Sequence, residues 1–128
     1  MATSRTSNSP PPIGPYSPGR WAGPFLFLSG RLGVDPASGE LVGPGLGEQA
    51  AQAMANLQAG LAAEGLTWDH VVKTLVFLTD MADFAELNQV YTQFFQGCAA
   101  LPARSCVQVA ALPRGAKVEI EAVAYRQG

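Results

Sequence analysis

The hydrophobic pattern changes period several times along the chain, and each change marks an element. Phe25-Leu26-Phe27-Leu28-Ser29 is a short apolar run closed by Gly30 and reads as a strand. Asp35-Pro36-Ala37-Ser38-Gly39 carries the residues that bend a chain. Ala50, Met54, Leu57 and Leu61 then recur at helical spacing from Glu48 to about Glu64, and Gly65 stands where a helix ends. The alanines around them suit a helix lying close on a sheet. Val71 to Leu78 is β-branched and apolar on both faces except at Lys73 and Thr74, the pattern of a central strand.

A second helix follows. Asp80 can cap it, Asp83 falls in its first turn, and Phe84, Leu87, Tyr91 and Phe94 form its apolar stripe; Gly97 and Pro102 end it. Two strands close the chain, Arg104 to Ala111 and Lys117 to Tyr125, with Leu112-Pro113-Arg114-Gly115 turning between them. On the last, Val118, Ile120, Ala122 and Ala124 alternate with Lys117, Glu119, Glu121, Val123 and Tyr125. The order of strands, helix, strand, helix, strands predicts an α+β fold, a sheet with two helices packed on one face.

Composition narrows the functional classes. The first twelve residues are rich in Ser, Thr and Pro and are expected to be a mobile arm, leaving 13–128 as a single domain. Nearly half the residues are apolar and only 14% are charged, so part of the surface is expected to be covered by other copies of the chain. The net charge is −2 and the basic residues are scattered, which argues against nucleic acid as a partner. No apolar leader and no membrane-length apolar stretch are read, and Cys98 and Cys106 form no CxxC pair. A cytoplasmic protein with free thiols and no membrane association is expected. With the lone His70, the two cysteines cannot supply a four-ligand zinc site, so no metal is expected.

The residues by themselves leave the chemistry open. Arg104 opens a strand, and its planar guanidinium suits a carboxylate, yet a surface arginine at a strand end fits equally. Glu119 and Glu121 share a strand face. Half-buried, such a carboxyl can work as acid and base; exposed, both are solvated. Cys106 shares a face with Arg104 and Gln108 but has no histidine placed to activate it. Asn88 and Tyr91 point the same way from the second helix. Phosphate loops, nucleophile elbows and dinucleotide fingerprints do not occur.

Several segments, in order from about residue 13 to 125, together resemble the Rid (YjgF/UK114) family of enamine/imine deaminases. They are Ile13-Gly14-Pro15-Tyr16-Ser17, Leu28-Ser29-Gly30, Asp35-Pro36 with Gly39-Glu40-Leu41-Val42, and Val71-Val72-Lys73-Thr74 with Phe77-Leu78-Thr79-Asp80-Met81. Asp83-Phe84 to Tyr91, Pro102-Ala103-Arg104-Ser105-Cys106 and Leu112 to Ala122 complete the set. The resemblance implies a chorismate-mutase-like fold assembled as a homotrimer around a barrel-like core, with active sites between subunits. It also implies hydrolysis of small 2-imino acids, such as the tautomer of 2-aminoacrylate, to 2-keto acids and ammonia without a cofactor. Arg104 matches the arginine that grips the substrate carboxylate, and Glu119 the glutamate that positions or activates water. Tyr16, Ser29 and Gly30 match pocket positions, Cys106 a cysteine beside the site, and Asn88 a position at the subunit contact.

Two positions depart from the family pattern: Pro18 and Arg31 stand where Gln is common. Arg31 adds charge to the pocket if it points inward. The Gly43-Pro44-Gly45-Leu46-Gly47 approach to the first helix reads as loose. Alternatives within the same resemblance are a specialised catabolic deaminase of aminomuconate type, a non-catalytic metabolite-binding or chaperone-like trimer, and an RNA-directed nuclease or translation inhibitor.

Overall fold

The computed structural model describes residues 14–127; the expected N-terminal arm and Ile13 lie outside them. The described chain runs β1 (Gly19–Ala22), β2 (Phe25–Leu32), α1 (Leu46–Ala63), β3 (Val71–Leu78), α2 (Phe84–Phe94), β4 (Ala103–Gln108) and β5 (Val118–Tyr125). The five strands make one mixed sheet in the order β1-β2-β5-β3-β4. Neighbours are antiparallel except β3 and β4, which run parallel and are joined through α2. The expected α+β plan, with both helices on one face, is the one observed.

Alternation decides which face meets the helices. Leu26, Leu28, Val76, Leu78, Val118, Ile120 and Ala124 are buried against Ala50, Met54, Leu57 and Leu61 of α1 and Leu87 of α2. All four apolar positions read from the helical spacing of α1 are fully buried. Among the described residues no layer covers the other face of the sheet, and Phe25, Phe27, Val107 and Tyr125 stand exposed on it.

Local chemistry moves several expected boundaries. β1 escapes the hydrophobic reading because Arg20-Trp21-Ala22 is too short to show a period; its pairing with β2 through a tight turn creates it. β2 does not stop at Gly30. It runs on to Leu32 through a bulge, in which Ser29 and Gly30, between Leu28 and Arg31, face the single Glu121 between Ala122 and Ile120. The glycine-rich approach to α1 is tied down, since Glu48 Oε1 accepts a 2.8 Å hydrogen bond from the Gly45 amide. Asp80 caps a separate short turn, Met81–Asp83, by accepting from the Ala82 amide at 2.9 Å, and α2 starts only after it. The closing strands are shorter than read, ending at Gln108 and beginning at Val118. Among the described residues no helix is long and apolar enough to cross a membrane.

Two buried amides of α1 set the position of the strands that carry the site. Gln49 donates to the Gly43 carbonyl and accepts from the Lys117 amide, both at 2.8 Å, which fixes the chain two residues before Glu119. One face of helix further on, Asn56 donates to the carbonyls of Leu32 and Val34 at 3.1 and 2.9 Å, fixing the far end of β2. Losing such a side chain strands a buried backbone group, which costs about 1–3 kcal/mol each. Gln49→Leu is therefore expected to lower unfolding stability by roughly 2–4 kcal/mol in a urea titration at fixed protein concentration; a change within 0.5 kcal/mol or so would remove Gln49 from this role.

Candidate active site

The site residues expected from sequence fall into two groups on opposite faces of the sheet. Arg104 pairs across β3 with Thr74, which pairs with Ala122, and these positions face the helices. Glu119 pairs with Phe77 and Leu32, whose register places it on the open face. Strand alternation sends the two side chains in opposite directions, and no twist of a single sheet reunites them.

On the helix side, α2 builds a cradle for Arg104. The guanidinium stands over the rings of Tyr91 (4.9 Å) and Phe84 (5.5 Å) and donates from Nη1 to Asn88 Oδ1 at 2.8 Å. Residues 84, 88 and 91 lie on one stripe of the helix, so a single element supplies both the aromatic faces and the amide. Phe84 was expected in the core but is substantially exposed, its ring serving the arginine instead. The buried Tyr91 is fixed in turn by a 2.7 Å hydroxyl–hydroxyl bond to the fully buried Thr74. Burial pushes the Tyr91 phenol up, against the opposing effects of Thr74 and Arg104, so the ring beneath the cation stays neutral. Among the described residues no carboxylate engages Arg104, which leaves part of its donor fork available to an anion.

Cys106 lies on the same face as Arg104. Burial pushes its thiol up although Arg104 pulls the other way, so it remains protonated at neutral pH and is a poor nucleophile.

The open face carries the second group. Glu119 lies against Gly30 at the β2 bulge: a methyl placed on Gly30 would sit 2.7 Å from Glu119 Oε2. Only glycine lets the carboxyl approach that backbone. Burial, and then repulsion from Glu121 on the same face, push the Glu119 carboxyl up from its ordinary value. Beside it an open cleft of about 500 Å³ is bounded by Tyr16, Ser17, Arg20, Ser29 and Glu121. Ser29 Oγ donates to the Ser17 carbonyl at 2.7 Å and its amide to the Pro18 carbonyl at 3.0 Å, which ties the segment bearing Tyr16 to β2. Arg31 does not enter this cleft. The bulge turns it to the helix face, where it is buried.

The structure thus brings Glu119 against Gly30 on one face, next to Ser29, which lines the cleft with Tyr16 though Glu119 does not. It gathers Arg104, Asn88 and Cys106 on the other. The roles of Tyr91, Phe84 and Thr74 were missed. The spacing of Phe84, Asn88 and Tyr91 was their only signal, and it reads equally as core. Among the described residues no group of three His, Cys, Asp or Glu side chains is placed to hold a metal.

The raised carboxyl has a consequence for stability. The folded chain holds the Glu119 proton more tightly than the unfolded chain, so ionising it at neutral pH works against folding. Glu119→Gln is expected to melt higher than the parent at pH 7. The gain should shrink as pH falls and vanish well below about 4.3, the unfolded-state pKa. A gain that persists in acid would assign the effect to something other than this proton.

Comparison with known proteins identifies the family. Residues 6–126 match the profile of the family described as endoribonuclease L-PSP. The mouse protein named 2-iminobutanoate/2-iminopropanoate deaminase is 50% identical over 121 residues, which span 94% of this chain and 88% of that protein. The human protein of the same name is 45% identical over 121 residues, 94% of this chain and 87% of its own length. The crystal structure of TdcF from E. coli, with bound serine, superposes with a TM-score of 0.93 at 42% identity, covering 99% of this chain and 100% of that one. The chain belongs to the endoribonuclease L-PSP family, the YjgF/UK114/Rid family that its motifs resemble.

Proposed function

We propose that this chain is an enamine/imine deaminase that hydrolyses small 2-imino acids to 2-keto acids and ammonia, in an active site shared between two copies of the chain. The observation that carries the reading is the division of the site: a cradled arginine open to an anion on one face, and a half-buried glutamate with a raised pKa on the other. A second copy seated on the exposed Phe25, Phe27, Val107 and Tyr125 would cover apolar surface and bring one chain's Glu119 towards another's Arg104. The homotrimer implied by the family satisfies this with three equivalent sites. The E. coli relative holds serine, whose carboxylate and nitrogen share one carbon, as they do in an imino acid.

Each residue then has a task. Arg104 binds the substrate carboxylate through two parallel hydrogen bonds, with the Tyr91 and Phe84 rings and Asn88 fixing its plane. The Glu119 carboxylate takes a proton from water as the oxygen adds to the imine carbon and passes it to the nitrogen, giving a carbinolamine. It then relays the hydroxyl proton to the nitrogen as the C=O bond forms and the C–N bond breaks, and ends ionised as it began. One water is consumed, one ammonia leaves, and a keto acid remains. A carboxyl raised towards neutrality suits both halves of that transfer. Tyr16 and Ser29 wall the cleft beside it. The free thiols of Cys98 and Cys106 suit a reducing cytoplasm.

An RNA-directed role fits poorly. Arg31 is buried, Arg114 donates to the Gly39 carbonyl, and Arg126 stacks on Trp21 and donates to the Glu64 carbonyl. Cations engaged locally do not form a phosphate-binding face.

A coupled assay tests the activity: a pyridoxal-phosphate-dependent threonine or serine dehydratase generates the imine, and semicarbazide traps what is not hydrolysed. The parent protein is expected to suppress semicarbazone formation, while Arg104→Ala and Glu119→Gln each lose at least about 100-fold. No suppression by the parent across several amino acids would move the reading to ligand binding or a specialised deaminase. Refolding the two inactive variants together should recover about a quarter of the sites, because some interfaces pair an intact Arg104 with an intact Glu119. No recovery from a mixed oligomer would place both residues within one subunit's site instead.

A further inference from the structure

Among the described residues, four polar or charged side chains are buried: Arg31, Gln49, Asn56 and Thr74. Gln49, Asn56 and Thr74 all hydrogen-bond well, and only Arg31 leaves polar atoms unmatched. Its Nη1 donates to the Ser29 carbonyl at 2.7 Å and to the Pro18 carbonyl at 3.0 Å, but its Nε and Nη2 are buried without an acceptor. A guanidinium stays charged when buried, so an uncompensated one detracts from stability. Burial does lower the Arg31 pKa. The fold nevertheless makes room for it: a methyl on Gly60 of α1 would lie 3.0 Å from Arg31 Nη2.

What the arginine holds explains the arrangement. The Pro18 carbonyl receives two donors, the Ser29 amide and Arg31 Nη1. Proline has no amide hydrogen of its own, so at this point the segment can be fastened only through its carbonyl. Three bonds from β2 therefore converge on Ser17 and Pro18: Ser29 Oγ to Ser17, Ser29 N to Pro18, and Arg31 Nη1 to Pro18. The next residue outward is Tyr16, which borders the cleft. The two positions at which the sequence departs from the family pattern are thus bonded to each other.

We propose that Arg31 is a positioning residue, a buried clamp that fastens the Tyr16–Pro18 segment to the β2 bulge and so fixes the Tyr16 wall of the cleft. It acts on substrate fit and takes no part in proton transfer. Its kinetic consequence rests on the deaminase reading; its structural consequence does not.

The test compares Arg31→Met, which preserves length but removes the donors, with the parent protein as assembled in solution. Three readouts are taken: hydrogen exchange at the Ser29 amide, the melting temperature, and kcat and KM in the semicarbazide assay. The clamp predicts Ser29 exchange faster by about fivefold or more, since a net hydrogen bond is lost at the Pro18 carbonyl. It predicts a melting temperature unchanged or higher, because an uncompensated charge is gone. KM should rise by roughly fivefold with kcat within about twofold, the mark of lost binding rather than lost chemistry. Ser29 exchange equal to the parent's, or a fall in kcat with KM unchanged, would overturn the proposal. If the parent itself shows no turnover, the deaminase reading fails while the exchange result still decides the clamp. Should Arg31→Met not fold, Arg31→Leu, which also lacks a donor, is read by the same exchange measurement, with protection equal to the parent's counting against the clamp.

Discussion

The bulge at Ser29-Gly30 is the constraint on which the site depends. One extra residue in β2 reverses the strand's alternation, so three consecutive residues serve three purposes. Ser29 fastens the segment before β1, Gly30 opens room for the Glu119 carboxyl, and Arg31 turns under α1. A regular strand would send Arg31 to the open face beside the glutamate, where it would pair with the carboxylate and lower its pKa. The irregularity keeps the cation and the acid on opposite sides of one strand. The buried amides of Gln49 and Asn56 hold the ends of β2 and β5 so that the bulge stays in register.

The two faces solve different physical problems. Arg104 must remain charged and oriented while partly removed from water, and aromatic faces with one amide acceptor achieve this without neutralising it. In the proposed role Glu119 passes protons, and partial burial next to a second carboxylate raises its pKa from the ordinary carboxyl value. Built side by side in one chain, the two groups would form an ion pair and each would lose its useful state. Separating them across the sheet preserves both, and in the proposed shared site a surface from another copy would bring them near. The exposed aromatic face is the natural place for that meeting.

Much of the fold was legible from periodicity. The α1 stripe at Ala50, Met54, Leu57 and Leu61, the central strand Val71–Leu78 and the alternation of the last strand all state their burial directly. β1 was not legible because a four-residue strand has no period to show. The continuation of β2 was hidden by Gly30, which as a sequence symbol means either a stop or a bulge. In the site, the residue types were visible but their facing was not. Arg104 and Glu119 belong to different strands, and only the pairing of each with β3 reveals that they diverge. The cradle was illegible for a different reason: aromatics at helical spacing read as core, and Tyr91 is both core and platform.

The strand order carries a consequence for biosynthesis. Of the five described strands β5 is the last made, yet it lies between β2 and β3. Until it leaves the ribosome, the N-terminal hairpin and the β3–α2–β4 unit share no hydrogen-bonded seam, and the apolar faces of α1 have only half a sheet to cover them. The nascent chain therefore cannot complete its sheet during translation and must do so in one late, long-range step. A chain cut short by even its final dozen residues lacks the seam and the acidic residue together. Completing the sheet and acquiring Glu119 are one event, so a product that stops before β5 has neither.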